Sequence, residues 1–101
     1  KESTFQNNVL AYLKKQGGYW IKVHASSYQS AGEPDIIGCY QGRFYAFELK
    51  RPDGKGKVSK LQEYKIKLIN EAGGIAMVID TMEDIEAVIK LGVPFVEVPR
   101  L

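Results

Sequence analysis

The sequence predicts an α/β domain with a mixed central sheet flanked by helices, in the order α-β-β-β-α-β-α-β. Three observations carry this. Apolar residues switch along the chain between helical spacing and strand-like runs. The glycine pairs Gly17-Gly18 and Gly73-Gly74 each close a helical stretch. Between them, Pro34 to Lys50 reads as a single tight hairpin turning at Gln41-Gly42.

The elements follow in order. Residues 3–16 form a helix, with Phe5, Val9, Tyr12 and Leu13 at helical spacing. Tyr19 to His24 reads as a strand with Tyr19, Ile21 and Val23 on one face, followed by a Ser-rich loop from Ala25 to Gly32. The hairpin comes next. Both of its faces are apolar, with Ile37, Cys39, Phe44 and Ala46 on one and Ile36, Phe47 and Leu49 on the other, which places it inside the domain. Ser59-x-x-Gln62 is a capping-box pattern and opens a helix carrying Leu61, Tyr64, Leu68, Ile69 and Ala72. Ile75 to Ile79 is a continuous apolar strand, Thr81-x-x-Asp84 opens a third helix to about Leu91, and Phe95 to Val98 forms a short last strand. There is no internal repeat, low-complexity stretch or linker, so residues 1–101 are expected to form one domain.

Composition narrows the class. The chain is 45% hydrophobic and 26% charged, values of a globular protein with one modest core. No apolar run approaches a membrane span and no cleavable signal is visible. A single cysteine, Cys39, falls in a strand and reads as a small buried hydrophobe in a reducing compartment. The expectation is an intracellular, cytoplasmic protein, in a bacterium or a phage-infected host cell. Net charge is only +2, so any nucleic-acid contact must be argued from where the charge lies.

The hairpin gathers chemistry at one end. With a two-residue turn at Gln41-Gly42, Tyr40 faces Arg43, Cys39 faces Phe44, Ile37 faces Ala46 and Asp35 faces Glu48. Directly opposed side chains sit about 5 Å apart, and alternation brings Lys50 to the same face as Glu48. Two carboxylates side by side among apolar residues repel unless a positive charge lies between them. Pairing with Lys50 or Arg51 is the plain structural answer. A divalent cation on hard oxygen ligands, Mg²⁺ first with Mn²⁺ able to substitute, is the answer that convergent acids on a central strand pair favour.

The residues Gly32-Glu33-Pro34-Asp35-Ile36-Ile37-Gly38, followed by Phe47-Glu48-Leu49-Lys50, resemble the PD-(D/E)XK nuclease signature. Glu2 with Gln6 in the first helix, Gly42 between the motif strands, and Ser59 with Gln62 in the next helix make the chain similar to the VRR-NUC branch, the virus-type replication-repair nucleases related to Holliday-junction resolvases. The resemblance runs from about Glu2 to Ile79. It implies a PD-(D/E)XK nuclease fold and Mg²⁺-dependent phosphodiester hydrolysis leaving 5′-phosphate and 3′-hydroxyl ends. It further implies Asp35, Glu48, the backbone carbonyl of Leu49 and Glu2 as metal ligands, with Lys50 and Gln62 joining Asp35 and Glu48 as catalytic residues. Lys50 would either position the attacking water or stabilise charge growing on the phosphate. Glu2 also reads simply as an acid near a helix N-terminus, and Gln62 as the second half of a capping box.

Lys50, Arg51, Lys55, Lys57 and Lys60 fall within eleven residues, opposed only by Asp53. Placed beside the acids, these cations and Ser30 in the Ser-rich loop are expected to grip DNA phosphates rather than read bases. His24 is a phosphate contact or has no role. One metal site cuts one strand, whereas resolving a four-way junction needs two symmetric cuts. A homodimer acting on branched DNA, as a Holliday-junction resolvase, is therefore expected, with Tyr19, Trp20 and Val93-Pro94-Phe95-Val96 as apolar surface for the partner. The alternatives are a monomeric flap- or nick-directed nuclease, a restriction-type or transposon-end nuclease, and a DNA-binding module of the same fold that has lost its chemistry.

Overall fold

A computed structural model describes residues 2–24, 31–50 and 57–92, with the side chains of Glu2 and Ser3 outside the description. Its elements are α1 (Glu2–Gln16), β1 (Tyr19–Lys22), β2 (Ile36–Tyr40), β3 (Arg43–Leu49), α2 (Lys60–Glu71), β4 (Ile75–Ile79) and α3 (Met82–Leu91). The strands lie in the order β1-β2-β3-β4. The first three are antiparallel, and β4 runs parallel to β3 after the α2 crossover. The expected last strand at residues 95–98 lies outside the described residues.

The hairpin register is the one a two-residue turn dictates. Ile36 pairs with Phe47, Ile37 with Ala46 and Tyr40 with Arg43. Gln41 and Gly42 both have positive φ, 49° and 80°, as a type I′ turn requires. β1 is shorter than expected and ends at Lys22, yet the Val23 N–H still donates to the Asp35 carbonyl at 2.8 Å.

Among the described residues the main hydrophobic cluster forms on one face of the sheet. Phe5, Val9 and Leu13 of α1 and Ile85, Val88 and Ile89 of α3 pack on Trp20, Ile36, Tyr45, Phe47, Leu49, Ile75 and Ile79. Alternation turns Ala46 and Glu48 to the other face, where α2 lies. Near its C-terminal end, α2 is fastened by buried Asn70, whose amide donates to the Ala76 carbonyl at 2.9 Å and accepts from the Ala76 N–H at 2.8 Å.

This asymmetry corrects three expectations. The hairpin is not apolar-buried on both faces: at its turn end Phe44 is 42% exposed and Cys39 is exposed. Cys39 is therefore not a core residue. Trp20 is not spare surface either, being only 3% exposed. It stacks on Phe47 with ring centroids 6.0 Å apart, and its indole N–H donates to the Gly17 carbonyl at 2.8 Å. Gly38 permits this, since a Cβ there would come within 2.3 Å of the Trp20 ring. Tyr19 and Ile21 point the opposite way and are exposed. Residues 93–96 lie outside the described residues. Among the described residues, no helix is long and apolar enough to cross a membrane.

Candidate functional site

Asp35 sits one residue before β2 and is held through its backbone from both sides. Its N–H donates to the Phe47 carbonyl at 3.0 Å, and its carbonyl accepts from Val23. Its side chain turns toward the end of β3, where Oδ2 accepts the Leu49 N–H at 2.7 Å. Continuing the register one step beyond Ile36 and Phe47 places Asp35 opposite Glu48.

Glu48 is the centre of the arrangement, on an inner strand and only 3% exposed. Its Oε2 accepts a hydrogen bond from Gln62 Nε2 at 2.9 Å and lies 3.6 Å from Lys50 Nζ. Among the described residues its Oε1 is buried with no hydrogen-bond partner. Burial, then the neighbouring Asp35 carboxylate, pushes the Glu48 carboxyl up to about 7, with Lys50 opposing the shift. A buried carboxylate with one unpartnered oxygen, next to a second acid, is a set of hard oxygen donors short of positive charge. That donor set fits a divalent cation of the Mg²⁺ type. Among the described residues no group of three or more His, Cys, Asp or Glu gathers, so the acids brought together here are two.

Gln62 completes the capping box and also contacts Glu48 through one side chain. Its Oε1 accepts the Ser59 N–H at 2.8 Å, and its own N–H donates to Ser59 Oγ at 3.1 Å, completing the capping box. The amide nitrogen is left free to donate to Glu48. A helix cap thus orients a site residue.

The remaining expected residues are placed less closely. Lys50 is half-buried at the end of β3, while Lys57 and Lys60 are exposed just before and at the start of α2. Glu2 is the first residue of α1, but its side chain lies outside the description, as do Arg51, Lys55 and Ser30. His24 is exposed after β1. The structure adds a pair that the sequence reading did not single out: Lys65 Nζ donates to Glu33 Oε2 at 3.0 Å. The signal for it lies in helical spacing, since Lys65 follows Gln62 by three positions and shares its side of α2.

No family model matches this chain, and no curated protein matches it. Among solved structures it is similar to one described as a VRR_NUC domain, with a TM-score of 0.70 and 19% identity, covering 88% of this chain and 94% of that one. The likeness takes in the four-stranded mixed sheet and flanking helices, and at that identity it speaks to architecture. This chain has the fold of a VRR-NUC domain.

Proposed function

We propose that this protein is a metal-dependent endonuclease that hydrolyses phosphodiester bonds in branched DNA, with Asp35 and Glu48 as its acidic metal ligands. The observation that carries the reading is the Glu48 carboxylate, buried beside Asp35 with Oε1 unpartnered among the described residues. A carboxylate whose other oxygen is already held by Gln62 and Lys50 is aimed beside Asp35, where a divalent cation would satisfy both acids.

Asp35, Glu48 and the Leu49 carbonyl would hold Mg²⁺ or Mn²⁺, with Glu2 as a further ligand from α1. When bound, such an ion polarises a phosphate oxygen and lowers the pKa of a water, supplying hydroxide near neutral pH. Gln62 fixes the Glu48 carboxylate through Oε2 and so sets the direction of Oε1. The Leu49 N–H does the same for Asp35. Lys50 puts a fixed positive charge at the same end of the strand, where negative charge grows on the phosphate during attack. Lys57 and Lys60, with Arg51, Lys55 and Ser30, would contact backbone phosphates on either side, giving recognition by shape rather than by base sequence.

A homodimer acting as a junction resolvase extends this reading. Tyr19 at 70% and Ile21 at 40% exposure lie on edge strand β1, and Phe44 at 42% lies on the hairpin beyond it. These residues supply the apolar surface on which a second copy would sit. Two copies provide two cuts.

The test is cleavage of a four-way junction, a flap, a nicked duplex and a plain duplex with Mg²⁺ and in chelator. Wild type is expected to cut the junction in opposed strands. Asp35→Asn and Glu48→Gln are expected to remove activity by at least about a hundredfold while DNA binding persists. Near-wild-type cleavage by both variants would overturn the metal assignment. Cleavage of one strand of the flap alone, with the junction ignored, would overturn the resolvase assignment and leave the metal site standing.

A further inference from the structure

One side of α2 reaches both halves of the site. Gln62 and Lys65 are neighbours on the helix surface at a spacing of three. The first donates to Glu48 at 2.9 Å and the second to Glu33 at 3.0 Å. Glu33 precedes Asp35 by two residues, and the intervening Pro34 is buried with a ring-locked φ, which ties the two ends of this short segment more closely than an ordinary residue would. One residue earlier, Gly32 has φ +84° and lies against α2 so closely that a Cβ would meet Leu61 Cγ at 2.7 Å. The chain entering β2 is thus seated on the first turns of α2 at two consecutive residues.

We propose that Lys65 and Glu33 are positioning residues: their ion pair, with Gly32 seated on Leu61, sets where Asp35 stands relative to Glu48. This rests on the metal-dependent nuclease reading above. The pair is partly exposed, at 19% for the Lys65 side chain and 38% for Glu33, so its effect on overall stability is small. Its effect on geometry is not. Neighbours that orient metal ligands typically change affinity or activity about 10–100-fold when removed. Acting through Pro34, this pair is expected to be worth about three- to tenfold.

Calorimetric titration with Mn²⁺ of wild type, Lys65→Met, Glu33→Gln and the reversed pair Glu33→Lys/Lys65→Glu tests this, with melting temperature and DNA binding in chelator measured alongside. Charge alone predicts opposite signs, since removing a lysine near a cation site tightens binding and removing a glutamate loosens it. Positioning predicts that both single variants bind Mn²⁺ about three- to tenfold more weakly and that the reversed pair recovers most of the loss, with melting and DNA binding little changed. Tighter Mn²⁺ binding by Lys65→Met, or wild-type affinity in both single variants, overturns the inference while leaving the nuclease reading intact. Weaker DNA binding by Lys65→Met at unchanged Mn²⁺ affinity also overturns it, making Lys65 a phosphate contact. A wild-type protein that neither binds Mn²⁺ nor cleaves DNA removes the nuclease reading and this inference together.

Discussion

At position 48 a carboxyl group that is 3% exposed sits beside a second acid with one oxygen unpartnered among the described residues, and the consequence is thermodynamic. The folded-state value of about 7 lies above the ordinary 4.5, so the folded protein holds a proton here that the unfolded chain has released. The neutral carboxyl's contribution to stability is therefore full below about 4.5 and is lost as pH rises through about 7. Glu48→Gln keeps the neutral shape at every pH. In chelator, the melting temperature of wild type relative to Glu48→Gln is expected to drop between pH 5 and pH 8 by roughly 10 °C, corresponding to about 2 kcal/mol. At pH 8 a divalent cation should raise the melting temperature of wild type and leave that of Glu48→Gln nearly unmoved. Parallel pH profiles for the two proteins would show that Glu48 is ionised without cost, and the orphaned oxygen would lose its meaning.

At the scale of elements, α2 does two jobs at its two ends, and single substitutions separate them. Ser59→Ala removes the cap that holds the first turn, at a cost of about 1 kcal/mol. The same cap fixes the Gln62 amide against Glu48, so cleavage per folded molecule is expected to fall as well, by about tenfold. Asn70→Ala deletes both buried hydrogen bonds to Ala76 and strands two backbone groups of β4, at about 2–4 kcal/mol. Its activity below the melting transition is expected to stay near wild type, because Asn70 is far along the helix from Glu48's partner. Denaturant melts paired with initial cleavage rates distinguish the two ends. Equal loss of rate in both variants would mean that α2 supports the site only by being folded.

On the proposed function, the whole molecule would hold and orient a polyanion with a net charge of only +2. The charge distribution makes that feasible, because the cations cluster between β3 and the start of α2. Replacing Lys55 and Lys57 by alanine is expected to weaken duplex and junction binding and to flatten the log-log salt dependence by roughly one to two units. Turnover at saturating substrate should change far less than in Lys50→Ala. Identical binding at every salt concentration would place the phosphate contacts elsewhere. Assembly belongs to this scale too. Sedimentation at micromolar protein is expected to give a dimer, and Ile21→Lys with Phe44→Lys to give a monomer that nicks but no longer makes paired cuts.

What the sequence determined by itself is what short-range physics controls. A two-residue turn with positive φ at Gln41 and Gly42 fixes the hairpin register, and that register alone brings Asp35 opposite Glu48 and Lys50 to the same face. The caps at Ser59 and Thr81 and the glycine stops likewise act within a few residues, and the helices begin and end where those signals stand. Tertiary structure decided which sheet face each helix covers, because the apolar stripe of a helix states that it must be buried and not against what. That choice buried Trp20 and left Cys39 and Phe44 open, against the expectation from strand composition. It also gave Gln62 its second partner and joined Lys65 to Glu33 across 32 positions, a contact created only when α2 docks on the sheet.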